Sequence, residues 1–187
     1  MGMSGFFSAR RLSRWGLLLG CCLLAWFCTL ASARRATALR LLSAADDPEA
    51  SCGPVSLAIV ARWHGAETTI ESLNKLTRAG ASGVTSLRDL RDAATALGLR
   101  AQAVQLDPKA PLPWELPMIL HLHGDHFAAA LPVGFNRLVL ADPPDEPRLI
   151  DRRWLWNDWK GRALVVARND IELNTSLAAA GFKEQRR

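Results

Sequence analysis

The chain has 187 residues and a net charge of +5, which leaves room for one domain with a full hydrophobic core and little else. Three of its 23 basic residues and none of its 18 acidic residues lie in the first 33 positions, so the rest carries 20 basic against 18 acidic groups, a net charge of +2. A body so close to neutral has no electrostatic reason to bind nucleic acid, and we expect no such partner.

The first predicted element is a targeting or membrane segment over residues 1–33. Three arginines precede an uncharged run, WGLLLGCCLLAWFCTLASA, which is long enough to span a bilayer. The ASA sequence at 31–33 has the small-x-small pattern of a signal-peptidase site. The segment is therefore either a cleaved signal peptide or a retained anchor. We expect the rest of the chain to be exported to the periplasm or another extracytoplasmic space, or to be held at the membrane by this segment.

We assign residues 34–168 to one domain and residues 169–187 to a loosely attached C-terminal tail. In the first half of the domain, apolar residues recur at helical spacing. Ser51 is a candidate N-cap for the first helix, and Pro54 suits its first turn. The predicted helices cover residues 52–64, 69–78 and 86–97.

The second half of the domain has strand-like patterns. LRAQAVQL alternates as a strand does, and the prolines of DPKAPLPWELP interrupt the pattern. DRRWLWNDW, before the last strand, is a short helix or a loop. Helices followed by an antiparallel sheet predict an α+β fold. The four further predicted strands are MILHLHG, HFAAALPV, RLVLAD and RALVVAR.

One cysteine, Cys52, lies outside the N-terminal segment, at the start of the first predicted helix. A thiol there is close to unpaired backbone N–H groups and the positive end of the helix dipole, which both favour the thiolate. It can act as a nucleophile in acyl transfer if an imidazole lies within hydrogen-bonding reach and a third group orients that imidazole. The alternative is a small buried hydrophobic side chain without chemistry.

The imidazole must come from one of four histidines. His64 lies about three turns along the helix of Cys52, too far to touch the thiol, and we expect it at the surface or at the helix C-cap. His126 begins a predicted strand, and Asp142 ends the next one. If these strands pair as neighbours, the two side chains can meet at one end of the sheet.

A metal site is the alternative for the HLHGDHF segment. His121, His123, Asp125 and His126 lie close together in the sequence, and histidines at alternate strand positions can converge on zinc. No Cys-x-x-Cys pair supports such a site. We expect neither a metal nor another cofactor.

Five segments, in order, resemble the landmarks of the double-glycine-leader cysteine peptidases: SCGPVSLAIVARWHG, TSLRDLRDAATALGLRAQAVQLD, LPMILHLHGDHFAAAL, LVLADPP and WKGRALVVAR. These peptidases are the bacteriocin-processing domains of peptide-exporting ABC transporters. The resemblance covers about residues 43–168. It implies a papain-like fold, here as a stand-alone domain, with N-terminal helices packed on a C-terminal antiparallel sheet.

The same resemblance implies a Cys-His-Asp triad. Cys52 would be the nucleophile, His126 the general base and acid, and Asp142 the group that orients the imidazole. The implied substrate is a peptide or leader sequence, cut after a motif of the Gly-Gly type.

Asp46 departs from this family, which has a glutamine six residues before the cysteine. The glutamine donates its side-chain N–H to the oxyanion, whereas an ionised carboxylate offers no donor and repels the developing charge. Losing one oxyanion donor costs on the order of 10²–10³ in rate. The alternative function is therefore a catalytically weak or inactive module that binds peptides in a secretion or transport system. A related acyl-transfer enzyme, transglutaminase-like or amidase-like, is a third hypothesis.

A second departure concerns transport. The best-known members of the family are fused to a membrane domain and an ATPase, but no G-x-x-x-x-G-K-[ST] phosphate loop occurs here. We expect any transport to need separate export machinery.

Overall fold

A computed structural model describes residues 51–77, 85–123, 126–134 and 137–182. The predicted signal or anchor, Asp46 and the last five residues lie outside these ranges. The helices are α1 (Cys52–Trp63), α2 (Ile70–Leu76), α3 (Leu87–Ala96), α4 (Arg152–Asp158) and α5 (Asp170–Ala179). The strands are β1 (Arg100–Gln105), β2 (Met118–His121), β3 (Phe127–Gly134), β4 (Arg137–Ala141), β5 (Arg148–Asp151) and β6 (Arg162–Ala167).

All six strands belong to one antiparallel sheet with the order β1-β6-β2-β3-β4-β5. In the β3–β4 ladder, Ala129 lies opposite Ala141. Because neighbouring strands run in opposite directions, the start of β3 and the end of β4 lie at the same end of the sheet. The predicted α+β fold, with helices packed on an antiparallel sheet, is confirmed.

The sheet is buried on both faces because side chains along a strand alternate between two cores. Ile119 of β2 joins the core formed with α1, α2 and α3, where Leu57 and Leu90 are fully buried. Its neighbours Met118 and Leu120 point into the second core, which lies on the opposite face against α4 and α5.

The first turns of four helices are capped by side chains. Each cap residue accepts a hydrogen bond from a backbone N–H group, which satisfies one of the donors that a helix start leaves unpaired. The helix α1 differs from these four, because Ser51 occupies its N-cap position without a side-chain cap bond. The capping residues are Thr69 for α2, Ser86 for α3, Asp151 for α4 and Asn169 for α5.

The prediction of a loosely attached tail is wrong for α5. Leu173 and Leu177 are four residues apart, so they lie on one face of the helix. Both are buried in the second core, 5% and 3% exposed. The helix packs on β6 and β1 and therefore belongs to the folded body.

Two further differences concern residues 148–158. The sequence analysis missed β5, in which only Ile150 is buried and the other three residues are exposed, so the strand lacks the alternation of a half-buried strand. The segment left open as a helix or loop is the helix α4, which buries Leu155.

No helix in the described part of the chain is long and apolar enough to cross a bilayer.

Candidate active site

His126 and Asp142 are in direct contact at one end of the sheet. His126 immediately precedes β3 and Asp142 immediately follows β4, and Nε2 of the imidazole is hydrogen-bonded to Oδ1 of the carboxylate. In the neutral ring, Nε2–H then donates to the carboxylate, and Nδ1 is the nitrogen that can take up a proton. The side chains are 36% and 19% exposed, so the pair can meet a molecule from solvent.

Backbone contacts hold both residues of this pair in place. The N–H of Leu122 donates to the carbonyl oxygen of His126 at 2.8 Å, which closes the connection between β2 and β3. The next residue, Phe127, is only 3% exposed and anchors the strand in the first core. On the other side, the N–H of Asp145 donates to the carbonyl oxygen of Asp142 at 2.8 Å, forming a turn after β4.

Cys52 is the first residue of α1, as predicted, and its thiol is free and half-buried. It packs against the first core, which contains Phe127 and Ala141. These two residues are the chain neighbours of His126 and Asp142. Since α1 packs on β3, Cys52 shares this core with the residues next to His126 and Asp142 in the chain.

The N-terminus of α1 offers backbone donors beside this thiol. Ser51 provides no side-chain cap, and Pro54 has no N–H group. The N–H groups of Cys52 and Gly53 precede the first intrahelical bond, which runs from Val55 N to Ser51 O at 3.2 Å. Such donors stabilise negative charge on a nearby sulfur or carbonyl oxygen.

Thr85 is a neighbour of this helix start that the sequence analysis did not single out. Its side chain lies over Gly53: a Cβ atom built on the glycine would be 3.0 Å from both Cβ and Cγ2 of Thr85. Thr85 is 8% exposed, and its Oγ1 is buried with no hydrogen-bond partner among the residues that the structure describes. Thr85 lies two residues before the start of α3, and no local sequence signal indicates its contact with Gly53.

His64 is the C-cap of α1, one of the two positions expected for it, and it is half-buried. Its Nε2 lies 3.2 Å from the carbonyl oxygen of Val166 in β6. Burial lowers the pKa of His64 below its usual value, and the hydrogen bond to Val166 only partly offsets this effect. The neutral ring therefore connects the end of α1 to the sheet.

The other two histidines do not converge with His126. The His121 ring packs against Phe127, with 5.0 Å between ring centroids, and His123 is exposed. Asp125 lies outside the described residues. Within the described ranges, no group of three or more His, Cys, Asp or Glu side chains could hold a metal ion.

Comparison with protein families gives a match over residues 43–171 to the Peptidase C39 family. Among curated proteins, the chain is 32% identical over 119 residues to the probable microcin-H47 secretion/processing ATP-binding protein MchF of Escherichia coli. This match covers 63% of the chain but 17% of MchF, so the chain corresponds to a small part of that relative.

Two solved structures show the same fold. The peptidase domain of ComA from Streptococcus, a bifunctional ABC transporter involved in quorum sensing, gives a TM-score of 0.54 at 22% identity, covering 64% of this chain and 93% of that domain. A double glycine motif protease from an AMS/PCAT transporter, solved with its leader peptide, gives 0.51 at 20% identity, covering 62% of this chain and 83% of that one.

Proposed function

The chain belongs to the peptidase C39 family, and from this premise we propose that it is a cysteine peptidase with Cys52, His126 and Asp142 as its catalytic triad. The observation that carries the proposal is the hydrogen bond between His126 Nε2 and Asp142 Oδ1. It orients the imidazole and leaves Nδ1 for the thiol proton. Cys52 lies at the start of α1, which has no side-chain cap from Ser51, and packs against the core that contains Phe127 and Ala141.

In the first half of the reaction, Nδ1 of His126 takes the proton from Sγ of Cys52. The thiolate attacks the carbonyl carbon of the scissile peptide bond, and the N–H of Cys52 donates to the resulting oxyanion. The imidazolium, stabilised by the Asp142 carboxylate, then protonates the leaving nitrogen. The C–N bond breaks, and the acyl group remains on sulfur as a thioester.

In the second half, His126 takes a proton from water, and the oxygen of that water attacks the thioester carbon. The carbon–sulfur bond breaks, the proton on His126 passes to the thiolate of Cys52, and the product leaves as a carboxylic acid that loses its proton to solvent. Both halves use the same three side chains.

We propose a peptide with a double glycine motif as the substrate class. Two similarities support this: MchF is described as a secretion/processing protein, and the double glycine motif protease was solved with a leader peptide. A separate transporter as partner, and export or membrane attachment through residues 1–33, remain proposals drawn from the sequence. Mass spectrometry of the mature N-terminus tests whether residues 1–33 are cleaved on export or retained as a membrane anchor.

Cleavage of a synthetic peptide tests the proposed activity. The purified full chain should cleave a peptide containing Gly-Gly after the second glycine and leave a matched Val-Val peptide intact. Cys52→Ala should reduce the rate to background, and His126→Ala should also slow labelling of Cys52 by iodoacetamide. Equal cleavage by wild type and Cys52→Ala would contradict the proposal.

Asp46 favours a second candidate function, a module that binds peptides without turnover, because a carboxylate cannot donate to the oxyanion. The variant Asp46→Gln separates the two candidates. If the chain is a peptidase limited by this residue, the substitution should raise kcat by on the order of 10²-fold. Peptide binding without cleavage in both wild type and Asp46→Gln would favour the binding module.

A further inference from the structure

Thr85 covers the glycine that directly follows Cys52. A Cβ atom on residue 53 would lie 3.0 Å from two carbon atoms of Thr85 and 3.3 Å from its Oγ1. Carbon atoms in contact prefer about 3.5–4.0 Å, so a side chain at residue 53 would have to displace Thr85 by a few tenths of an ångström. The starts of α1 and α3 therefore meet at this contact, since Thr85 immediately precedes the α3 N-cap residue, Ser86.

Within the described part of the chain, this contact lies at a helix start that has no side-chain N-cap bond. The other four described helices have a side-chain hydrogen bond at the N-cap, whereas Ser51 makes none. Without a cap from Ser51, the first N–H groups of α1 do not donate to that side chain. The first turn of α1 then lacks one of the interactions that usually hold a helix start in place. The Thr85 side chain, packed directly on Gly53, holds the turn from outside the helix.

The shape of Thr85 matters here more than its hydroxyl. Oγ1 is buried and has no hydrogen-bond partner in the described part of the chain, and an unpaired buried hydroxyl opposes folding. Cβ and Cγ2 are the Thr85 atoms nearest to the space above Gly53, each 3.0 Å from a Cβ atom built there, against 3.3 Å for Oγ1. Valine has nearly the same shape as threonine without the hydroxyl, so it separates the two contributions.

We propose that Thr85 is a positioning residue for the nucleophile. By packing on Gly53, it fixes the backbone beside Cys52 and thereby the directions of the Cys52 N–H and Cα–Cβ bonds. The consequence for peptide cleavage rests on the proposed function, whereas the effect on the reactivity of the Cys52 thiol does not require turnover.

The test adds side-chain volume at Gly53 and removes it at Thr85. Gly53→Ala should slow iodoacetamide labelling of Cys52 at least about fivefold and lower kcat about 10- to 100-fold with KM within about twofold, because small displacements of a reacting group have effects of this size. Adding Thr85→Gly, which removes both Cβ and Cγ2 of Thr85, to Gly53→Ala should restore labelling to within about threefold of Thr85→Gly alone. The proposal would be overturned if Cys52 of the Gly53→Ala variant were labelled at the wild-type rate, or if the labelling rate did not recover in the double variant.

Single substitutions at Thr85 show whether the shape of its side chain or its hydroxyl group affects the labelling of Cys52. Thr85→Val should label Cys52 within about twofold of wild type, whereas Thr85→Ala should label more slowly. The matched control is Thr77→Ala, which removes a fully buried threonine that bonds to Leu73 O at 2.8 Å. It should lower Tm without changing labelling. If Thr85→Val is as slow as Thr85→Ala, or if all variants label at the wild-type rate, Thr85 does not position the nucleophile by its shape.

The two proposals can fail separately. If wild type cleaves no peptide, the proposed function fails, but the labelling rates still test the role of Thr85. If wild type cleaves and the variants at positions 53 and 85 retain full labelling and kcat, only the role of Thr85 is refuted. Should Gly53→Ala not fold, the comparison of Thr85→Val with Thr85→Ala decides.

Discussion

Replacing Asp142 by alanine removes the carboxylate that holds the imidazole of His126. A hydrogen bond to a charged group contributes about 1.5–3 kcal/mol. Because the two side chains are 36% and 19% exposed, water weakens the bond, and we take about 1.5–2 kcal/mol. At about 1.4 kcal/mol per factor of ten, kcat/KM should fall about 10- to 30-fold.

Initial rates of cleavage of the Gly-Gly peptide measure this effect. Asp142→Asn should lie between wild type and Asp142→Ala, because its amide oxygen still accepts Nε2–H but carries no charge to stabilise the imidazolium. The control is Asp145→Ala, an exposed carboxylate in the same turn, which should stay within about twofold of wild type. An Asp142→Ala rate within twofold of wild type would refute the assigned role.

Three predictions concern stability. Burial lowers the folded-state pKa of His64 below 6.5. The neutral His64 ring therefore stabilises the folded protein fully above pH 6.5, and this stabilisation is lost as the pH falls from there through the folded-state pKa. In thermal unfolding, the wild-type Tm should fall between pH 8 and pH 5, and the fall should be smaller for His64→Gln. Identical dependence of Tm on pH in both proteins would exclude His64 as the cause. Gly161→Ala should cost about 2–5 kcal/mol in urea unfolding, because residue 161 has φ +87° and a Cβ there would lie 1.9 Å from Leu106 O; a loss below 1 kcal/mol would contradict this geometry. Leu173→Ala, at a position 5% exposed, should cost about 2–5 kcal/mol. Ile171→Ala, at a position 80% exposed, should change stability by about 0.5 kcal/mol or less, and equal effects at both positions would mean that α5 is not docked as described.

The resemblance of the sequence to the cysteine peptidases, read from the segments around Cys52, His126 and Asp142, is confirmed by the family match over residues 43–171. The catalytic roles of these residues stay predictions. The contact between His126 and Asp142 was accessible to sequence reasoning because each residue lies at the end of a clearly patterned strand. Neighbouring antiparallel strands bring those ends together.

Within the residues that the structure describes, the amino-acid sequence by itself determined the helices α1, α2 and α3 and every strand except β5. Their apolar residues repeat with the periods of helix and strand, and such periods are local properties of the chain. The start of α1 at Cys52 and the side-chain cap of α3 at Ser86 were likewise set by neighbouring residues.

Only the tertiary structure decided the rest. The edge strand β5 buries one residue, and α5 buries Leu173 and Leu177, so each is defined by its partner in the fold and not by its own pattern. The contact between Thr85 and Gly53 arises where the starts of two helices meet. No sequence period encodes such a contact, because packing depends on which surfaces the fold brings together.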